Sequence, residues 1–276
     1  MRLKALTRRY ATRVQKRNVW ACVLGAGLGW ASALAPAESL TPAESAAAQR
    51  LVAAYPAFLR GVEGGALVWR DGTRMPLTRS AATTYPGRLD APGLLDQLDA
   101  AYPACAPLAA PAYLSDPGRA RFEPLLRKMY GASDSAVRAS LVTVDWFGQP
   151  LQVTRVNGAA DSLRAVAKDL AAHPEWRAFL TPSAGTFLWR TVAGTSRRSV
   201  HSFGAAIDLN TARAAYWQWS GFREGQRGIP WRNQFPAGLV HTFERRGWIW
   251  GGRWYHLDTM HFEYRPELTG ACAAGR

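Results

Sequence analysis

Four of the five histidines of this 276-residue chain lie in its last third, where two short segments bring metal-ligating residue types close together. The first runs Ser199-Val200-His201-Ser202-Phe203-Gly204-Ala205-Ala206-Ile207-Asp208. Its small residues allow a tight path into a short strand expected over residues 205–209, so that His201 before it and Asp208 within it converge on one point. An imidazole nitrogen and a carboxylate oxygen both bind zinc at about 2.0–2.2 Å. The second segment runs Asp258-Thr259-Met260-His261-Phe262-Glu263-Tyr264. His261 supplies the third ligand, and Asp258, close by but not needed for coordination, acts as general base. Three protein ligands plus one water form the open arrangement of a catalytic zinc, which lowers the pKa of bound water to about 7 and polarises a carbonyl.

An unpaired Asp is poorly tolerated in an apolar core, which favours one metal site over three unrelated polar residues. His173 and His241 lack ligand-type neighbours at useful spacing and read as ordinary histidines. His256 lies two residues before Asp258, and alternation along an extended segment puts both on one face. It either stabilises an oxyanion or orients the base, with an ordinary supporting place equally open. Glu263 shares a strand face with His261 and reads as a solvated edge residue, with a hydrogen bond to His261 as the alternative. Arg190 is the first choice for gripping a substrate carboxylate, since a guanidinium offers two parallel hydrogen bonds. Arg197 and Arg198 are its rivals, and all three also read as surface charges. The tryptophans at 217, 219, 231, 248, 250 and 254 read mainly as core, with one or two left for a groove wall.

The elements that position these residues are mixed in order. Thr41, Pro42 and Glu44 form an N-cap, first turn and capping-box partner for a helix ending near residue 54. Residues 55–117 are rich in Gly and Pro and read as a loop-rich stretch, with a short run at 66–69 ending near a turn at Asp71-Gly72 and a helix near 94–102. Helices are expected over 119–130, with Pro124 opening a first turn, and over 161–173 and 236–246, the last closed by Gly247. Residues 141–147 and 151–156 read as strands of a hairpin joined through Gly148-Gln149-Pro150. Strands and helices in this irregular order predict α+β rather than a parallel α/β array.

The two histidine segments resemble the zinc D,D-peptidase family of D-alanyl-D-alanine carboxypeptidases, D-Ala-D-Ala dipeptidases and phage L-Ala-D-Glu endopeptidases, which shares its core with Hedgehog signalling domains. The S-x-H-x-x-G-x-A-x-D pattern is matched at Ser199, His201, Gly204, Ala206 and Asp208, and the closing E/D-x-x-H pattern at Asp258 and His261. Similarity extends from Asp116-Pro117-Gly118-Arg119 to Tyr264-Arg265-Pro266-Glu267-Leu268, and residues 39–115 are matched only loosely. The resemblance implies a small antiparallel sheet flanked by helices, His201, Asp208 and His261 as zinc ligands, Asp258 as base, and Ser199 as a hydrogen-bond donor to substrate; a plain turn role is equally open to Ser199. It also implies a peptidoglycan stem peptide as substrate. A D-Ala-D-Ala terminus is preferred. An L-Ala-D-Glu bond is the alternative, because the base is Asp where several carboxypeptidases and dipeptidases have Glu. A wall-binding module with a structural metal is the reading of another class.

Lys plus Arg number 34 against 20 Asp plus Glu, a formal +14. Seven of those basic residues, Arg2 to Arg17, precede an apolar run over residues 19–35 and small residues in A-x-A order, the pattern of an export signal. An uncleaved membrane anchor through 19–35 competes with it; Thr7-Arg8-Arg9 and Cys22 are poor fits to a twin-arginine or lipidated signal. Without residues 1–37 the balance is 27 basic against 20 acidic, or +7, with no lysine-rich block. That removes most support for nucleic acid and suits an anionic polymer such as a bacterial wall. Cys105 and Cys272 remain, and an oxidising compartment favours one disulfide over two buried thiols. The organisation expected is therefore a signal peptide or anchor (1–37), a loop-rich N-terminal extension (38–115) and a zinc peptidase domain (116–276), exported to the periplasm or cell envelope.

Overall fold

The computed structural model describes residues 40–273, so the expected signal or anchor over 1–37 lies outside the described residues. Helix α1 (Pro42–Ala54) opens with the expected capping box: the Thr41 hydroxyl accepts from the Glu44 N–H at 3.2 Å, and the Glu44 carboxylate accepts from the Thr41 N–H at 2.9 Å. Beyond it the structure corrects the loop-rich expectation. Strands β1 (Leu59–Glu63), β2 (Ala66–Trp69) and β3 (Arg74–Pro76) form an antiparallel sheet in that order. Gly64 and Gly65, both at positive φ, make the tight turn between the first two. Because β2 is buried along its whole length, no apolar–polar alternation marks it as a strand. Helices α2 (Tyr85–Asp90) and α3 (Leu94–Leu98) follow, α3 stopping short of the expected residue 102.

Helix α4 (Glu123–Tyr130) carries Pro124 in its first turn, where the missing N–H has no intrahelical partner to lose. After α5 (Asp134–Arg138), strands β4 (Leu141–Trp146) and β5 (Gln149–Thr154) form the expected hairpin. Its turn is Phe147-Gly148, with φ of 54° and 89°, and Gln149 and Pro150 already pair with Trp146 and Asp145. Helices α6 (Ala159–Leu170) and α7 (Arg177–Leu180) lead to β6 (Ala206–Asp208). Helix α8 (Ala237–Arg245), β7 (Trp248–Trp250), β8 (His261–Tyr264) and α9 (Pro266–Ala273) complete the described chain. The fold is α+β, helices with small antiparallel sheets.

The sheet that matters for chemistry has the order β6-β8-β7, all antiparallel. Its register sets Asp208 opposite His261, Ile207 opposite Phe262 and Ala206 opposite Glu263. Side chains alternate across a sheet, so Ile207 and Phe262 enter the core while Asp208 and His261 face the other way. Phe262 stacks on Phe243 of α8 at 4.0 Å, among Trp248, Trp250 and Leu239, all fully buried. Phe262→Ala costs about 3–5 kcal/mol and loosens the register that aligns the two ligands.

The described residues on both sides of position 115 fall within one compact unit. Leu51, Leu67 and Leu94 share a core with Leu125, Val200 and Phe203. A Cys105–Cys272 disulfide, with Cα atoms 5.5 Å apart, ties the first part of the chain to α9. Among the described residues no helix is long and apolar enough to cross a membrane.

Candidate metal centre

His201 sits in a 3₁₀ turn, Val200–Phe203, capped by Ser199, whose hydroxyl accepts from the His201 N–H at 3.3 Å. Gly204 ends the turn at φ 64°, and a Cβ there would lie 2.6 Å from Leu141 and 3.1 Å from the Thr154 backbone nitrogen. Only glycine lets the chain pass between His201 and β6 at that point. The strand register then delivers Asp208 and His261 as direct neighbours. The donor atoms of His201, Asp208 and His261 all lie within 4.8 Å of one another.

The backs of the two rings fix which nitrogens face inward. His201 Nδ1 donates to the Thr186 carbonyl at 2.8 Å, so its Nε2 carries the lone pair. His261 Nε2 donates to Glu263 Oε1 at 2.9 Å, so its Nδ1 carries the lone pair. Those two atoms stand 3.1 Å apart, with Asp208 Oδ2 3.2 Å from His201 Nε2 and Oδ1 2.8 Å from His261 Nδ1. Three acceptors converge with no donor among them, an arrangement that calls for a cation. In the metal-free chain a proton takes that place. Burial opposes charge on His261, yet its hydrogen bonds to Asp208 and Glu263 and their negative charges push it up to about 10. Burial likewise opposes ionisation of Asp208, but the positive charge of the neighbouring imidazoles and hydrogen bonding to them hold it well below the usual carboxylate range.

Glu263 corrects the solvated-edge reading. It is wholly buried, bonds His261, and is gripped by two hydrogen bonds from Arg121, with Arg265 Nη1 3.5 Å away. Burial works against its charge, but the Arg121 guanidinium and the His261 bond hold it below the usual range. A carboxylate behind a ligating histidine fixes the ring's orientation and strengthens it as a ligand. Arg265 in turn bonds Glu267 at 2.6 Å, and Glu267 accepts from Tyr55 at 2.6 Å, so the support reaches the end of α1.

Asp258 lies in the same cleft, about 550 Å³ in volume, with the three donors. Its Oδ1 is shielded from solvent and has no hydrogen-bond partner among the described residues. Burial raises its pKa to about 7; the nearby Asp208 charge also raises it, and His261, Arg119 and Arg121 pull the other way. The turn that carries it needs Gly251, where a Cβ would lie 2.5 Å from the Asp258 carbonyl oxygen and 3.1 Å from its Cβ.

His256 is not placed beside Asp258 by strand alternation, because residues 251–260 form a 3₁₀ turn and bends. Its Nδ1 donates to Asp116 at 2.6 Å, its Nε2 accepts from the Gly225 N–H at 2.9 Å, and Tyr85 stacks on its face. With both nitrogens committed, the ring has no N–H for an oxyanion and serves to hold the 225 loop and Asp116 together. Arg190 lines the cleft, and among the described residues its guanidinium bonds only the Thr191 carbonyl, at 3.2 Å. Arg197 is ion-paired with Glu224 and Asp90, and Arg198 lies over Trp189. Ser199 lines the cleft too, and its hydroxyl donates to no partner among the described residues. His173 pairs with exposed Glu175, and His241 bonds the Ala106 carbonyl, both away from the cleft. Trp217, Trp219 and Trp254 line the cleft, while Trp248 and Trp250 are core.

Arg119 and Arg121 are charged cleft residues to which sequence reasoning gave no role. The signal available was their i, i+2 spacing just after the Asp116-Pro117-Gly118 turn.

His201, Asp208 and His261 thus form a set of acceptors that can hold a metal ion, with the half-buried carboxyl of Asp258 beside them. Residues 193–264, which contain all four of these groups, match the family model of D-alanyl-D-alanine carboxypeptidase, and this supports a peptidase of the M15 family, whose members are generally zinc-dependent. No curated protein and no solved structure matches the chain.

Proposed function

We propose that this chain is a zinc-dependent peptidase, built on a Hedgehog/D,D-peptidase-type core, that is exported to the periplasm or cell envelope and hydrolyses peptidoglycan stem peptides, releasing D-Ala from a D-Ala-D-Ala terminus. The observation that carries this reading is the pairing of a donorless His201–Asp208–His261 cluster with the partnerless carboxyl of Asp258 in one cleft. His201 Nε2, the Asp208 carboxylate and His261 Nδ1 would hold the zinc, which would supply a Lewis acid for a carbonyl oxygen and a lowered pKa for bound water.

Asp258 takes the proton from the attacking water and passes it to the leaving amine. A pKa raised by burial to about 7 suits both transfers. Arg190, which has no carboxylate partner among the described residues, grips the terminal carboxylate of the peptide, and Ser199 donates its hydroxyl to the peptide backbone. Cleavage at an internal L-Ala-D-Glu bond is the second reading, favoured by an aspartate as base and by a further pocket adjoining the cleft. A wall-binding module with a structural metal does not require a carboxyl whose shielded oxygen has no partner among the described residues.

The test is incubation of the chain with muropeptides, with and without a chelator, and identification of products by mass. Chelator-sensitive release of D-Ala supports the carboxypeptidase reading, and stem fragments support the endopeptidase reading. A chain carrying stoichiometric zinc that releases neither points to the binding module.

A further inference from the structure

Next to the metal cleft lies a second pocket of about 330 Å³, walled by residues 89–92 at the end of α2, by the start of α4 and by the 196–198 turn. Arg119, Arg121 and Arg197 line both cavities, so the two adjoin. Most charges in the second pocket are already matched. Arg119 pairs with Glu224 at 2.7 Å, Arg121 with Glu263, and Arg197 with Glu224 at 3.0 Å and Asp90 at 3.6 Å. Glu123 faces Arg127 at 3.4 Å. Arg198 is the exception. It has no carboxylate or hydrogen-bond partner among the described residues, and its Nε is shielded from solvent and unsatisfied. Its guanidinium carbon sits 4.4 Å from the centre of the Trp189 ring, so stacking holds the fork in place. A pre-positioned, half-buried guanidinium with unfilled donors in a concave pocket is a receptor for a planar oxyanion.

We infer that this pocket is a second anion subsite, in which Arg198 receives a carboxylate carried on the substrate away from the scissile residue. The inference deepens the peptidase reading and rests on it for the identity of the peptide. It gives the N-terminal part of the chain a share in recognition, because residues 89–92 and 119–126 lie outside the stretch that matches the family. The substrate class it selects is an acidic stem peptide. An amidated stem, with the internal carboxylate neutralised, is discriminated against.

The test uses two synthetic pentapeptides, L-Ala-γ-D-Glu-L-Lys-D-Ala-D-Ala and the same peptide with the internal glutamate carboxylate converted to the amide. Binding of each to the whole chelator-treated chain is measured by calorimetry, so no hydrolysis is needed. The expected result is about tenfold tighter binding of the acid, the size of one charge-assisted hydrogen bond. Arg198→Gln should abolish that preference and leave the amide's affinity unchanged. Arg190→Gln should weaken both peptides alike and keep the preference. Equal binding of the two peptides by the unaltered chain overturns the inference, as does a preference that survives Arg198→Gln or an Arg198→Gln chain that loses both peptides equally. Hydrolysis by the zinc-loaded chain is followed in parallel. If neither peptide is cleaved but the binding preference holds, the peptidase reading falls and the subsite stands.

Discussion

Two carboxylates flank the donor cluster, and the chain treats them in opposite ways. Glu263, on β8, has its oxygens taken by His261 and Arg121 and is held ionised below the usual range. Asp258, three residues before His261 on a turn, has an oxygen with no partner and is pushed up to about 7. Glu263 is wholly buried and Asp258 only half-buried on the cleft wall, so the more desolvated group is the one held ionised; hydrogen bonds and a guanidinium, not desolvation, separate the two. The saturated carboxylate fixes the His261 ring, and under the proposed function the unsatisfied one moves the proton. A group left without partners in a folded protein lowers stability, and such a group beside a metal-type donor set is where stability gives way to function.

The sharpest way to break this contrast is to neutralise each carboxylate in turn. Asp258→Asn should lower kcat by about 10²–10⁴-fold, the range for a general base, while zinc content stays at one per chain. Glu263→Gln should act differently, because it leaves Arg121 and Arg265 without their counter-charge. A loss of about 3–5 kcal/mol in denaturant unfolding is expected, together with about 10–100-fold weaker zinc binding by competition titration. If Glu263→Gln spared zinc affinity and Asp258→Asn weakened it, the two roles would have to be exchanged.

A smaller effect tests the turn alone. Gly251→Ala forces the Asp258 backbone away, and a displacement near 1 Å lowers kcat by up to about 100-fold with zinc affinity unchanged.

The smallest effect is on stability against pH in the metal-free chain. Asp258 has a folded pKa above its ordinary value, so the folded state holds its proton more tightly and stability falls as pH rises from about 4 to about 7. Glu263 has a folded pKa below its ordinary value, so its contribution is present above about 4.5 and is lost as pH falls below it. Urea unfolding at several pH values should show Asp258→Asn losing the decline between pH 4 and 7 and exceeding the unaltered chain in stability at pH 7.

The convergence of His201, Asp208, Asp258 and His261 on one cleft was legible in the two segments around His201 and His261. Their ligand types sit close to a tight turn and a short strand, and one antiparallel register brings Asp208 to His261 across 53 residues of chain. What was not legible depends on partners much farther away. Arg121 reaches Glu263 across 142 residues and Asp116 reaches His256 across 140, so neither the burial of Glu263 nor the commitment of both His256 nitrogens had a local signature. The sheet over residues 59–76 was hidden for another reason. Its strands are three to five residues long, with a register irregularity between Leu59 and Gly61, and the central one is buried on both faces. The helix at Pro42–Ala54 was read from its capping box because that signal is wholly local.

The central claim is that Asp258 acts as the base beside a cation held by His201, Asp208 and His261. It is tested most directly by the rate of D-Ala release from a stem pentapeptide, measured on zinc-loaded unaltered chain and zinc-loaded Asp258→Asn chain of equal metal content. The account predicts release by the first, abolished by chelator and restored by zinc, and a rate at least about 10²-fold lower for the second. Equal rates for the two, or release that persists without metal, would contradict it.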